Sequence, residues 1–90
     1  MQMMPVKQAL SQLKRMIKGK QRGQLTLLTK KKDRSIIVQS YDNRLILLEQ
    51  GYRDAHKEYS YTGARHVALA AFKREFPRSH QVYFSFKTIN

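Results

Sequence analysis

Side chains that could catalyse cleavage of a phosphodiester bond lie close together between positions 56 and 66. Histidine and tyrosine can transfer protons, and arginine can stabilise the negative charge that develops on a phosphate. A helix is predicted to start within this segment, where the positive end of its dipole would favour an anion. These properties are compatible with a small metal-independent endoribonuclease. Its candidate residues would be His56, Tyr59, Tyr61, Arg65 and His66.

The patterns of other catalytic and ligand-binding sites are missing from the sequence. His56, His66 and His80 lack metal-ligand spacing, and the chain has no cysteine. Neither glycine-rich phosphate-binding motif occurs, and no serine lies in a strand–Ser–helix elbow. We therefore predict no metal, no cofactor and no defined catalytic residue. The chain still resembles bacterial toxin ribonucleases in size and basic α+β character, without a shared motif, so the endoribonuclease stays an alternative.

The distribution of charge is the most unusual property of the chain. Its 90 residues include 18 Lys or Arg and six Asp or Glu, which gives a formal net charge of +12. Ten of the cations precede residue 35, together with one acid, Asp33. Such a region favours nucleic acid first, and an anionic membrane or an acidic protein second. We predict non-enzymatic nucleic-acid binding through phosphate contacts made by Lys7, Lys14, Arg15, Lys18, Lys20, Arg22, Lys30, Lys31, Lys32 and Arg34.

A helix and a strand would position these cations. Apolar residues at three- and four-residue steps predict a two-faced helix that begins near Pro5 and ends at Gly19. The segment Gln24–Lys30 is predicted to be a strand about 20 Å long. The basic loop before this strand and the turn at residues 30–34 would therefore lie at its opposite ends.

A hairpin is predicted to form the centre of the sheet. Its strands would be Ser35–Tyr41 and Arg44–Gln50, with Asp42 and Asn43 as a two-residue loop, so that Val38 lies opposite Leu47. One face would carry Ile36, Val38, Leu45 and Leu47. The other would carry Ile37, Tyr41, Ile46 and Leu48.

The rest of the chain completes one α+β domain spanning residues 1–90. Residues 52–61 could extend the preceding strand, form a short extra hairpin or be an ordered loop. A second helix is predicted at Gly63–Phe76 with Thr62 as its N-cap, and a last strand at Gln81–Lys87. The predicted fold is an antiparallel three- to four-stranded sheet with two helices, in the order α-β-β-β-α-β.

Over residues 5–76 this order is similar to that of double-stranded RNA-binding domains. Those domains carry a Gly-Pro-x-His turn and a Lys-Lys-x-Ala-Lys start to their last helix. The corresponding places in this chain read KKKDRS and TGARHVA. The resemblance therefore concerns the fold alone and implies no family.

The second face of the hairpin gives a further alternative, self-association or binding of a protein partner. If both helices cover one face of the sheet, the face with Ile37, Ile46 and Leu48 stays open and predicts a homodimer or a protein partner. Helices on opposite faces would make it ordinary core. The longest apolar run is four residues, Leu45 to Leu48, and no secretory signal is present, so we expect a cytoplasmic protein without membrane contact.

Overall fold

Six strands form one antiparallel sheet in the computed structural model of the chain, which describes residues 2–19, 21–41, 44–51 and 53–88. The sheet has the order β1-β6-β2-β3-β4-β5, and the elements follow the chain as β-α-β-β-β-β-α-β. The strands are β1 (Gln2–Pro5), β2 (Gly23–Leu28), β3 (Ser35–Tyr41), β4 (Arg44–Gln50), β5 (Ala55–Ser60) and β6 (Gln81–Lys87). The helices are α1 (Val6–Lys18) and α2 (Tyr61–Glu75).

The central hairpin has the predicted strands and register. Tyr41 pairs with Arg44, Val38 with Leu47, and Ile37 with Leu48. The predicted loop at Asp42 and Asn43 lies outside the described residues. The alternation of side chains is also confirmed on the buried face, which carries Ile36, Val38, Leu45 and Leu47.

Both helices pack on the same face of the sheet. Their small and apolar side chains meet the inward-facing strand residues in a single core, and burial of each large one contributes about 1.5–3 kcal/mol. In α1 the buried residues are Ala9, Leu13, Met16 and Ile17. In α2 they include Ala64, Ala68, Ala71 and Phe72. The opposite face of the sheet is covered by no element in the described part of the chain.

The predicted three- to four-stranded sheet is wrong, because two edge strands extend it to six. β1 has only four residues and lies beside β6, with Met4 opposite Val82. β5 lies beside β4 and is largely exposed, so it lacks the apolar alternation by which strands are recognised. None of the three predicted structures for residues 52–61 is observed as such: residues 55–60 form a single edge strand that pairs back onto β4, and Tyr61 begins α2. This strand also breaks the similarity to the order of double-stranded RNA-binding domains.

Two elements, β2 and α2, have bounds that differ from the predicted Gln24–Lys30 and Gly63–Phe76. β2 ends at Leu28 rather than Lys30, because Thr29 takes part in the following turn. α2 begins at Tyr61 after Ser60, two residues before the predicted Gly63, so Thr62 lies inside the helix and is not its cap. The hydroxyls of Tyr61 and Ser40 share a hydrogen bond, and this contact ties the start of α2 to β3.

The sheet has two ends that matter for the cations. At one end, the β2–β3 turn lies near the start of β6 and the start of α1, because Leu28 pairs with Tyr83 and Gln81 with Pro5. At the other end lie the last turn of α1 and the first turn of α2. Neither helix in the described part of the chain has the length and apolar composition needed to cross a bilayer.

Candidate nucleic-acid interface

The β2–β3 turn, residues 29–34, presents three consecutive lysines on a hydrogen-bonded backbone. The Thr29 N–H donates to the Arg34 carbonyl (3.0 Å), and the Arg34 N–H donates to Thr29 Oγ1 (3.2 Å). Within the turn, the Lys32 N–H donates to the Thr29 carbonyl (2.8 Å), and the Thr29 hydroxyl donates to Asp33 Oδ1 (2.7 Å). These hydrogen bonds fix the backbone from which Lys30, Lys31 and Lys32 project. All three side chains are exposed.

Lys32 lies apart from the other two lysines of the turn. Its backbone has a φ of 60°, in the left-handed region, where the chain reverses direction. Its Nζ lies 5.0 Å from the centre of the Tyr83 ring, on the uncovered side of the sheet. A cation–π contact of this kind contributes about 0.5–1 kcal/mol at an exposed site.

An open groove of about 1070 Å³ separates the β2–β3 turn from the end of α2 and the connection that follows it. We call it the cationic groove. Thr29, Lys30, Lys31, Asp33 and Arg34 line one wall, and Lys73, Arg74, Glu75, Pro77, Arg78, Ser79, His80 and Gln81 line the other. Six Lys or Arg against two carboxylates leave the lining with a formal charge of +4 when both acids are ionised. Lys32 does not line it.

The second wall is positioned by the end of α2. Phe72 and Phe76 pack with ring centroids 5.2 Å apart, and the Phe76 N–H donates to the Phe72 carbonyl (2.9 Å). The Val6 N–H donates to the His80 carbonyl (2.9 Å), which ties the connection to the start of α1. Lys73 lies in the last turn of α2, where a cation is favoured by the helix dipole. The wall is thus supported from both helices.

Two buried glutamates lie beneath the groove and hold one of its cations. Glu49 and Glu75 are each 1% exposed. Arg74 donates to both carboxylate oxygens of Glu49, and the Arg53 N–H donates to Glu75 Oε2 (3.0 Å). The charge of Arg74 is therefore matched by an anion inside the protein. The exposed cations Lys30, Lys31, Lys73 and Arg78 stay available to a ligand.

Two carboxyl groups near the groove have lowered pKa values. Burial acts to raise the pKa of Glu49, but hydrogen bonds from Arg74 and Glu75 and the charges of Arg74 and Arg53 together lower it below its usual value. The Thr29 hydroxyl, followed by the charges of Arg34 and Lys31, lowers the pKa of Asp33. At neutral pH both carboxyl groups are therefore ionised.

A second cavity of about 400 Å³ connects α1 to the groove. Lys7 and Lys73 both line it, and Lys73, Pro77 and Ser79 are shared with the cationic groove. Of the predicted α1 cations, Lys7 therefore adjoins the groove. Each of the two cavities takes its lining from segments that are distant in sequence.

No known family model, curated protein or solved structure matches this chain.

The remaining predicted phosphate-binding residues lie at the opposite end of the sheet. Lys14, Arg15 and Lys18 are exposed on the second half of α1, and Arg22 is exposed just before β2. Lys20 lies outside the described residues. The predicted set is thus split between the two ends of β2, a strand of about 20 Å. The sequence analysis missed Lys73, which lies in the last turn of α2, and Arg78 and His80, which lie in the short segment between α2 and β6.

The candidate ribonuclease residues are not all brought together. Within β5, Tyr59 pairs with the buried Leu45 and packs against the core, whereas His56 pairs with Leu48 on the uncovered face. Arg65 and His66 are exposed on α2, which covers the other face. The sheet therefore separates His56 from the rest of the set. Among the described residues, no three His, Asp or Glu side chains lie close enough together to hold a metal ion.

Proposed function

We propose that this protein binds nucleic acid, without a catalytic step, through phosphate contacts centred on the cationic groove. The observation that carries the proposal is that Lys30 and Lys31 line the same open groove as Lys73 and Arg78. The first two residues lie more than forty positions before the other two in the sequence. Exposed lysine and arginine side chains beside one another are the usual means of holding phosphates. The proposal includes a cytoplasmic location.

The charge balance of the groove supports an anionic polymer as its ligand. Glu49, beneath the groove, is paired with Arg74, and Asp33, which lines the groove, accepts a hydrogen bond from the Thr29 hydroxyl, so both carboxylates are already occupied by the protein's own groups. The four exposed cations of the groove outnumber the other acid of its lining, Glu75. Lys7 adds a fifth cation on the far side of Lys73. An open trough of this kind allows a backbone to pass along it, which an enclosed pocket would not.

Contacts of this type position a nucleic acid but do not read its sequence. The groove offers ammonium and guanidinium groups together with the Ser79 hydroxyl, all of which bind phosphate oxygens well. We therefore expect similar affinity for duplexes of different sequence. The more distant cations of α1 would add a general attraction that depends on ionic strength.

The test is a binding titration against salt. Anisotropy of a labelled duplex, measured over rising salt concentrations, should give a linear plot of log affinity against log salt. Four phosphate contacts predict a slope of about −3 to −4. A scrambled duplex of the same length serves as the sequence control. Absence of binding at low salt, or affinity that does not change with salt, would refute the proposal.

A further inference from the structure

The uncovered face of the sheet, opposite the helices, is a second surface with its own chemistry. Its side chains alternate with the buried ones along every strand. The apolar ones are only partly buried and do not pack against the core. From β1 to β4 they are Met3, Tyr83, Leu28, Ile37, Tyr41, Leu48 and Ile46.

These side chains form a connected diagonal across the sheet. Met3 pairs with Tyr83, Tyr83 with Leu28, and Ile37 with Leu48, while Leu28 and Ile37 are diagonal neighbours on β2 and β3. A contiguous apolar patch of this extent on a small chain marks an interaction surface. Polar residues beside it, such as the hydrogen-bonded pair Gln24 and Gln39 (2.9 Å), fill the rest of the face.

The charge of this face differs from that of the rest of the protein. Among its described strand residues, the charged ones are Arg44, Glu58 and Lys87, which sum to +1, and Lys32 reaches its corner at Tyr83. The whole chain carries +12. Almost all of the repulsion between two copies would therefore come from other surfaces. This is the side on which a second copy of a strongly cationic protein can approach most closely.

The size of the face agrees with a small dimer interface. The five strands from β6 to β5, about 4.8 Å apart and about 20 Å long, give roughly 500 Å² of sheet per copy. Two copies would bury roughly 1,000 Å², at the lower limit for specific complexes. An interface of this size is compatible with a reversible dimer that depends on protein concentration.

We propose that two copies of this chain pack their uncovered sheet faces together, related by a two-fold axis that runs along β3. β3 is the middle strand of β6-β2-β3-β4-β5, so this rotation places β6 of each copy over β5 of the other. Sheets stacked in this way lie about 10 Å apart with aligned strands. Ile37 then packs on Ile37 of the second copy.

The register of the sheet makes this arrangement electrostatically complementary. Lys87 pairs with Gln24, Gln24 with Gln39, Gln39 with Ile46, and Ile46 with Glu58. These residues form one row across five strands, with a cation at one end and an anion at the other; the anion, Glu58, also accepts a hydrogen bond from Arg44 of its own copy (3.0 Å) at an exposed site. The two-fold rotation reverses the row, so Lys87 of each copy meets Glu58 of the other. Both ion pairs form at once, because the interface is symmetric.

Sedimentation of the wild type over a range of concentrations tests the dimer, and charge exchange tests its geometry. We expect Glu58→Lys and Lys87→Glu each to weaken dimerisation by about tenfold or more, because each creates two like-charge contacts. The double variant Glu58→Lys/Lys87→Glu should restore the wild-type affinity. Both sites are exposed, so these variants keep their fold. Ile37→Lys should abolish the dimer, with circular dichroism as the check of folding.

A cross-linking experiment tests the position of the axis separately. The chain has no cysteine, so Ile37→Cys introduces one thiol per copy, and a short bismaleimide should link two copies. Ser11→Cys, exposed on α1, is the control that should not be linked.

A wild type that stays monomeric at about 1 mM overturns the proposal, as does a dimer that Ile37→Lys leaves intact. A dimer that the double charge variant does not restore overturns the axis along β3. A monomeric wild type whose nucleic-acid binding is lost in Ile37→Lys would assign this face to nucleic acid instead. The salt titration of the groove has an independent outcome, since the two surfaces lie on different sides of the molecule.

Discussion

Arg74 binds the carboxylate of Glu49 through two parallel hydrogen bonds, from Nε and from Nη2, each 2.7 Å long. The carboxylate is 1% exposed, whereas the Arg74 side chain is 25% exposed. A planar guanidinium matches a carboxylate in this geometry, which a lysine cannot reproduce. The pair joins the last turn of α2 to the end of β4 and therefore fixes one wall of the cationic groove.

Replacement of Glu49 with glutamine should destabilise the fold strongly. The change leaves the partly buried guanidinium without its anion, and a broken buried pair costs about 3 kcal/mol or more. The free energy of unfolding, from urea denaturation, is the measurement. Glu58→Gln, measured at a protein concentration at which the chain is monomeric, is the matched control, because its pair with Arg44 (3.0 Å) is exposed and should contribute less than about 1 kcal/mol. Equal losses in the two variants would contradict a structural role for the buried pair.

The same carboxylate should make stability depend on acid pH. The pKa of Glu49 is lower in the folded state than in the unfolded chain. At acid pH the folded protein therefore binds fewer protons at this carboxylate than the unfolded chain does. The stabilisation is therefore present above the ordinary glutamate pKa of 4.5 and is lost as the pH falls through the lower folded value. Urea denaturation at several pH values should show this loss. Glu49→Gln should have a flatter acid limb, and a slope as steep as that of the wild type would exclude Glu49 as its cause.

Gly51 should tolerate substitution poorly. Its φ of 138° lies in the region that favours glycine, and an added Cβ would come within 2.6 Å of both Glu75 Oε1 and Arg34 Cγ. Gly51→Ala should therefore lower the free energy of unfolding by about 1–3 kcal/mol. Gly63→Ala is the control. No atom lies within 4 Å of the Cβ position at Gly63, and alanine in a helix should stabilise by about 0.5–1 kcal/mol. A neutral Gly51→Ala would disprove the close packing at this corner.

Removal of two groove cations should weaken nucleic-acid binding more than removal of two cations elsewhere. Lys73→Gln/Arg78→Gln should reduce the salt slope by about 2 and the affinity by about tenfold or more, because each lost phosphate contact removes its own counterion release. Lys14→Gln/Lys18→Gln removes the same charge from the other end of the sheet and serves as the control. Anisotropy over the same series of salt concentrations compares the slopes and affinities of the two double variants. Equal losses would mean that net charge, and not the groove, determines binding.

Within the β2–β3 turn, Lys31→Gln should affect binding more than Lys32→Gln. Lys31 lines the groove, whereas the Lys32 ammonium lies over Tyr83 on the uncovered face. The two variants have the same charge and neighbouring positions, so the comparison isolates the direction of the side chain. If Lys32→Gln is the weaker binder, the groove is not the surface that contacts phosphate.

The elements predicted correctly are those in which the pattern of apolar and polar side chains shows which residues are buried. Val38 and Leu47 alternate with partly exposed residues, and the predicted two-residue loop implies their register, so the hairpin follows from local sequence. β5 could not be recognised in this way, because His56, Lys57 and Glu58 are exposed. Its contribution comes mainly from backbone pairing with β4, which any sequence can provide. The side chains of an exposed edge strand such as β5 therefore give little indication that the segment is a strand.

The buried polar pair was missed for a related reason. Glutamate is rarely buried unless it is paired, and the partner Arg74 lies 25 positions away in sequence. A signal was present, because Glu49 continues the inward alternation of Leu45 and Leu47. The groove likewise depends on residues that only the tertiary fold brings together, so composition could predict a cationic protein but not the place where its charges converge.

Both borders of the sheet discourage growth by strand addition. β1 is short and ends in Pro5, which has no N–H to donate, while β5 presents ionised and imidazole side chains along its length. Open-ended stacking into fibrils is therefore disfavoured at either border. At high concentration the chain should form closed, finite assemblies and stay in solution.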